Sequence, residues 1–127
     1  MSAPQSQPRR LGRDRRIKSK REFSRMFDSA IRVGDDQLTL FVLPNELAFS
    51  RVGVAVSRRL GSAVRRNRAK RLCREAFRLV QHDLPGGWDY MLLPRAGAQL
   101  KLQRLEGSIR RLGQQAIARY RRDRSGR

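Results

Sequence analysis

Apolar residues recur along this chain with two different periods, and the switches between them outline its elements. Phe23, Phe27 and Ala30 follow a helical stripe with Met26 beside it, which predicts a helix from about Lys20 to Ser29. The "SKRE" at its start is a capping box, with the Ser19 hydroxyl accepting from the backbone of Glu22 and Glu22 reaching back. Gly34-Asp35-Asp36 breaks that pattern, and two adjacent acids in a turn are expected simply to be solvated. "QLTLFVLP" (37–44) then alternates Leu38, Leu40 and Val42 against Thr39, Phe41 and Leu43, the pattern of a strand that ends at the Pro44-Asn45 turn. "RVGVAVS" (51–57) sets Val52, Val54 and Val56 on one face. Gly53, Ala55 and Ser57 form a face of small side chains that lets another element come close. A long helix is expected over 62–81, after Gly61-Ser62 and before Pro85-Gly86-Gly87. "WDYMLLP" (88–94) is a further strand in which Trp88 and Tyr90 should pack. Leu105, Ile109, Leu112 and Ala116 turn inward on a last helix, Leu102 to Tyr120, despite Gly107 and Gly113.

Helices and strands in this mixture predict a small α/β sandwich, a sheet of about four strands covered by helices. Strand 51–57, helix 62–81 and strand 88–94 form a candidate βαβ unit; for parallel strands about 98% of such crossovers are right-handed. The 127 residues suffice for one domain with a single core. We place that domain at 18–120, between a disordered basic arm (1–17) and a disordered basic tail (121–127).

Charge changes the picture most in the long helix. Lys and Arg number 30 against 11 Asp and Glu, a formal net charge of +19, and "AVRRNRAKRLCREAFR" (63–78) concentrates it just after Arg58 and Arg59. Advancing 100° per residue from Leu72 puts Ala69, Cys73, Ala76, Leu79 and Val80 on a core-facing stripe. Asn67, Lys70, Arg71, Arg74 and Arg78 fall on an opposite arc about 100° wide, with Arg66 and Arg68 on its flanks. A merely solvated face alternates its signs to gain i,i+4 pairs. Here Glu75 is the only acid, expected to pair with Arg71, and the like charges repel one another. An external polyanion is therefore expected, and arginine's bidentate fork suits phosphates. The stripe reads as a nucleic-acid docking face.

Other classes fit less well. No run of about 18 apolar residues exists to span a bilayer, and a membrane-surface helix would need a free apolar face. The basic start lacks the apolar stretch of a secretory signal, and we read it as an RNA-touching arm rather than an organellar transit peptide. One cysteine, Cys73, leaves no internal disulfide or cysteine-based zinc site and fits a reducing cytoplasm, where it would be a small core residue. His82, the only histidine, reads as a surface residue. No acid–histidine cluster, nucleophile–base pair or glycine-rich phosphate loop stands out, so no catalytic or metal-ligating residue is expected in the protein itself.

The ordered segments "REFSRMF", "RVGVAVSRRLGSAVRRNRAKRLCREAFR" and "WDYMLLPRAGA", together reaching from Lys20 to Leu105, resemble the bacterial ribonuclease P protein subunit. Arg66-Asn67-Arg68 stand at the centre of that family's basic RNR motif. The resemblance implies an α-β-β-β-α-β-α order, with an extra strand near Ile31 to Val33 and an unusual left-handed crossover. It implies a catalytic RNA partner and removal of the 5′ leader of precursor tRNA with Mg²⁺, bound mainly by the RNA and substrate. No membrane, organic cofactor or obligate protein partner is expected. Carried over residue by residue, Arg58, Arg59, Arg66, Asn67, Arg68, Lys70, Arg71 and Arg74 match the basic motif. Phe23, Phe27 and Phe41 match the leader-binding cleft, although one-turn spacing alone makes Phe23 and Phe27 ordinary core residues. Ala30 departs from the family, which often has glycine there. A ribosomal-type structural RNA-binding protein, a nucleoid DNA binder and a self-sufficient nuclease are the rival readings.

Overall fold

In the computed structural model, which describes residues 15–125, α1 (Lys20–Ser29) passes into β1 (Ile31–Gly34) and β2 (Leu38–Pro44). β3 (Arg51–Val54), α2 (Ala63–Val80), β4 (Trp88–Pro94) and α3 (Leu102–Ser125) follow. The strand order in the sheet is β1-β2-β4-β3. β2 pairs antiparallel with both β1 and β4, whereas β3 lies parallel to β4. The β3–α2–β4 segment is therefore a crossover between neighbouring parallel strands.

The strand alternation sorts side chains onto two unequal faces. Leu38, Leu40, Val42, Val52, Val54, Tyr90 and Leu92 join Cys73, Phe77, Leu105 and Ile109 in the larger core under α2 and α3. Phe41, Leu43 and Met91 face the other way and bury Met26 of α1. Trp88 and Tyr90 pack as expected, Trp88 edge-on to Tyr120 and Tyr90 against Phe77. Gly113 sits where a Cβ would come within 3.0 Å of Leu84, so this glycine serves close packing rather than breaking α3. Ser19 caps α1, its hydroxyl accepting from the Glu22 amide at 3.1 Å. At the other end Ala30 adopts φ −79°, so the passage into β1 needs no glycine.

Several expectations change. β3 stops at Val54 rather than residue 57, because Ser57 instead accepts from the Arg59 amide and starts a short 3₁₀ turn, Arg58–Leu60. α3 runs through Ser125, so residues 121–125 are helical where a disordered tail was expected; 126–127 lie outside the described residues. Most of the expected arm, 1–14, also lies outside them. Its end does not float: Arg16 bridges Val52 in parallel, Ile17 donates to the Val52 carbonyl at 2.8 Å, and the Ile17 side chain is buried.

The largest correction is the rotation of α2. Its buried residues are Ala69, Cys73, Ala76, Phe77 and Val80, a stripe centred about 80° from Leu72 at 100° per residue. Phe77 is thus core, while Leu79, assigned inward, is 43% exposed and Val64 is 75% exposed. The cause is tertiary: α2 packs beside α3 on one face of the sheet, α2 over β3 and β4 and α3 over β1 and β2. The inward flank of α2 is the one that meets both the sheet and α3.

Six carboxylates each hold an arginine, and all but the Glu75–Arg78 pair within α2 staple separate parts of the chain together. Arg51 is central, reaching Glu22 of α1 at 2.8 Å and gripping buried Asp89 with two nitrogens at 2.9 and 2.6 Å. Asp35 is no solvated turn acid. It accepts from the Gln37 and Leu38 amides and from Ser108 and Arg111 of α3. Burial raises its pKa, but Ser108, those two amides and Arg111 outweigh that and hold it below the ordinary 3.8. A depressed folded-state value contributes stability above the unfolded value and loses it as pH falls through the folded one. The melting temperature should therefore fall on acidification below pH 3.8, and Asp35→Asn should be less stable at pH 7 yet less sensitive to acid, as thermal melts across pH would show.

Candidate nucleic-acid interface

Two surfaces carry the candidate residues, one on each side of the sheet. The first is α2 with the turn before it. Ser62 caps the helix by accepting from the Arg65 amide, while Gly61, at φ +115°, makes the turn that follows Arg58 and Arg59. The helix rotation redistributes the basic residues. Arg58, Arg59, Asn67, Arg68 and Arg71 are exposed, whereas Arg66, Lys70 and Arg74 lie on the flank toward the core and are half-buried. Arg66 bears the consequence, its buried Nε having no hydrogen-bond partner among the described residues.

Glu75 does not pair with Arg71. It accepts from two guanidinium nitrogens of Arg78, Nε and Nη2, at 2.9 and 2.6 Å, one turn later. A glutamate N-terminal to its cation is the better helical orientation, which favours Arg78 over the upstream Arg71. Arg58, Arg59, Arg68, Lys70 and Arg71 consequently make no salt bridge with any described acid. Arg74 is held below the ordinary arginine range by burial first and by the neighbouring charge of Arg16 second. Arg16 is a member of this basic cluster that sequence reading missed. Its only signal was the single apolar Ile17 beside it in an otherwise charged stretch.

The second surface is the seam between α1 and the sheet. Phe27 is 44% exposed and stands edge-on to Phe41, ring centres 5.0 Å apart. Phe41 is only 6% exposed and forms the floor beneath it, with the Arg32 guanidinium 5.9 Å from its ring centre. Phe23 is half-buried over β3: a Cβ on Gly53 would lie 3.1 Å from both Phe23 and Ile17. The small-residue face thus receives α1 and the Ile17 segment. Of the three rings, Phe27 offers most surface to a ligand. The surfaces approach each other along the β3 edge, where Arg16 lies near Arg74 and Ile17 beside Phe23.

Neither surface carries a set of groups suited to hydrolysis. Among the described residues no three His, Cys, Asp or Glu side chains cluster to hold a metal ion. Three acids near these surfaces are already engaged, Glu22 and Asp89 with Arg51 and Glu75 with Arg78, while Asp28 on α1 makes no salt bridge with a described residue. His82 is exposed beyond α2. Cys73 is fully buried, its thiol pushed up to about 12 by burial, which makes it a core residue and no nucleophile. What remains is arginine, lysine and amide, groups that hold phosphates but are poor bases at neutral pH.

Residues 11–117, spanning both surfaces, match the family model described as Ribonuclease P. The chain belongs to the ribonuclease P protein family. It is 40% identical over 97 residues to the ribonuclease P protein component of Pelotomaculum thermopropionicum, covering 76% of this chain and 87% of that one. The component from Halalkalibacterium halodurans is 38% identical over 101 residues, 78% of this chain and 85% of that one. The ribonuclease P protein of Thermotoga maritima superposes with a TM-score of 0.71 at 26% identity, over 79% of this chain and 96% of its own. That of Staphylococcus aureus gives 0.67 at 28% identity, over 76% and 90%. Ribonuclease P membership makes this chain the protein part of a tRNA 5′-processing ribonucleoprotein, with RNA as partner and the catalysis carried by RNA. The ribosomal-type alternative gives way to it.

Proposed function

We propose that the protein docks on the catalytic RNA through the exposed arginines of the Arg58–Leu60 turn and α2, and holds the 5′ leader of precursor tRNA against the α1–sheet seam. The observation that carries this reading is the set of α2 arginines without acidic partners among the described residues, on a helix whose other flank is core. Catalytic RNA and precursor tRNA are both polyanions, and each phosphate contact by the protein releases condensed counterions. The protein thereby lowers the repulsion between the two RNAs. Mg²⁺ belongs on RNA and substrate phosphates in this account, because Glu22, Glu75 and Asp89 beside the two surfaces already hold arginines. No helix among the described residues is long and apolar enough to cross a membrane, and a cytoplasmic location fits a single buried cysteine.

The seam makes the substrate half testable. A single-stranded leader has unstacked bases, and a base stacked on an aromatic ring is worth about 1–3 kcal/mol. Phe27→Ala should weaken binding of precursor tRNA to the reconstituted complex by roughly 5- to 150-fold while leaving mature tRNA unaffected. Equal losses on both substrates in a binding titration would remove the seam from the leader path.

A further inference from the structure

Leu60, Leu72, Leu100 and Leu102 are all half-buried, and they share one cause. Together they line an open groove of about 700 Å³ between the start of α2 and the loop joining β4 to α3. That volume falls within the roughly 300–1,000 Å³ typical of small-molecule sites. Leu72 lines this groove while packing against the margin of the larger core, outside the fully buried stripe of α2. Arg65 and Arg68 also line it, no acid does, and neither arginine has an acidic partner among the described residues. An apolar floor beside two unneutralised guanidinium groups suits a ligand that is flat and apolar in one part and anionic on either side. An unstacked nucleotide within an RNA strand has that chemistry.

We propose that this groove receives one extruded nucleobase of the catalytic RNA, with its flanking phosphates held by Arg65 and Arg68. The inference rests on the proposed docking of α2 on that RNA and names a contact within it. The source follows from the layers. The groove belongs to the α2–α3 side of the sheet, whereas Phe27 lies on the α1 side, so a leader stacked on Phe27 is separated from it by the sheet. The groove makes the α2 surface more than a charge patch, because an apolar pocket selects a place on the RNA where a base can leave the stack.

Salt dependence separates the two halves of the site. In titrations of the full-length protein with the catalytic RNA, Leu100→Asn should weaken binding about ten-fold at every salt concentration, leaving the slope of log K against log salt unchanged. Arg65→Ala should reduce the magnitude of that slope by about 0.7–0.9, the loss of one phosphate contact. Leu100→Cys supplies a second readout should Leu100→Asn fail to fold. Cys73 is fully buried, so a thiol-reactive photocrosslinker would label the groove alone. It should join a single nucleotide of the catalytic RNA. Unchanged affinity of a normally melting Leu100→Asn variant would overturn the proposal. So would crosslinks to precursor tRNA, to residues 1–14 of the same chain, to a second copy, or scattered along the RNA. Failure of the unaltered protein to bind the catalytic RNA would instead defeat the docking reading itself.

Discussion

Replacing Arg58, Arg68 and Arg71 together by alanine should weaken binding to the catalytic RNA on the order of 10²-fold at 0.1 M salt, with almost no change in folding stability. All three side chains are exposed and have no acidic partner among the described residues. Each arginine that neutralises a phosphate adds about 0.7–0.9 to the slope of log K against log salt, so removing three of them should flatten it by about 2–3. Affinity and slope must fall together. A triple variant that binds as before would mean that the exposed arginines are only solvated; one that unfolds would mean that they hold the fold. Thermal melting and filter binding across a salt series distinguish these outcomes.

Phe77→Ala should do the reverse, removing about 3–5 kcal/mol of folding stability and affecting RNA binding only through the fraction unfolded. Phe77 is 1% exposed and lies against Tyr90 of β4, ring centres 5.3 Å apart, where α2 meets the sheet. Truncation there leaves a cavity between layers that cannot readily collapse, since Tyr90 is fixed by its strand and by a hydrogen bond from its hydroxyl to the Pro85 carbonyl. Leu79→Ala, on the same helix but outside the core stripe, should be far milder. Urea titrations of the two variants, compared at the same RNA affinity per folded molecule, check the assignment of faces.

That contrast marks the boundary of what the chain discloses by itself. Period alone located α1 with its observed ends, and it located α2 to within a residue at each end. It could not say which flank of α2 is buried, because Leu72 and Leu79 are as apolar as Phe77 and the choice depends on α3, some 25 residues or more downstream. β1 escaped the residue pattern for a related reason. Only Ile31 and Val33 alternate there, and the strand exists by pairing with Val42 and Leu40 of β2. The resemblance supplied it instead. Arg16 and Ile17 were hidden in a charged segment whose order comes from the free edge of β3. Asp35 read as a turn acid, since Ser108 and Arg111, its partners on α3, are far away in sequence. The basic motif was legible because charge without countercharge shows in composition; the exposure of each arginine was not, because it follows from the rotation.

Cleavage of precursor tRNA by the reconstituted particle tests the central claim, that this protein binds both RNAs and brings no catalytic group of its own. The assay should be run at a Mg²⁺ concentration too low for the catalytic RNA to act alone, with RNA alone, protein alone and both together. The account predicts specific removal of the 5′ leader only when both are present, and a chemical step that His82→Ala and Glu75→Gln leave within a few-fold of normal. Leader removal by the RNA-free protein, abolished by either substitution, would contradict it.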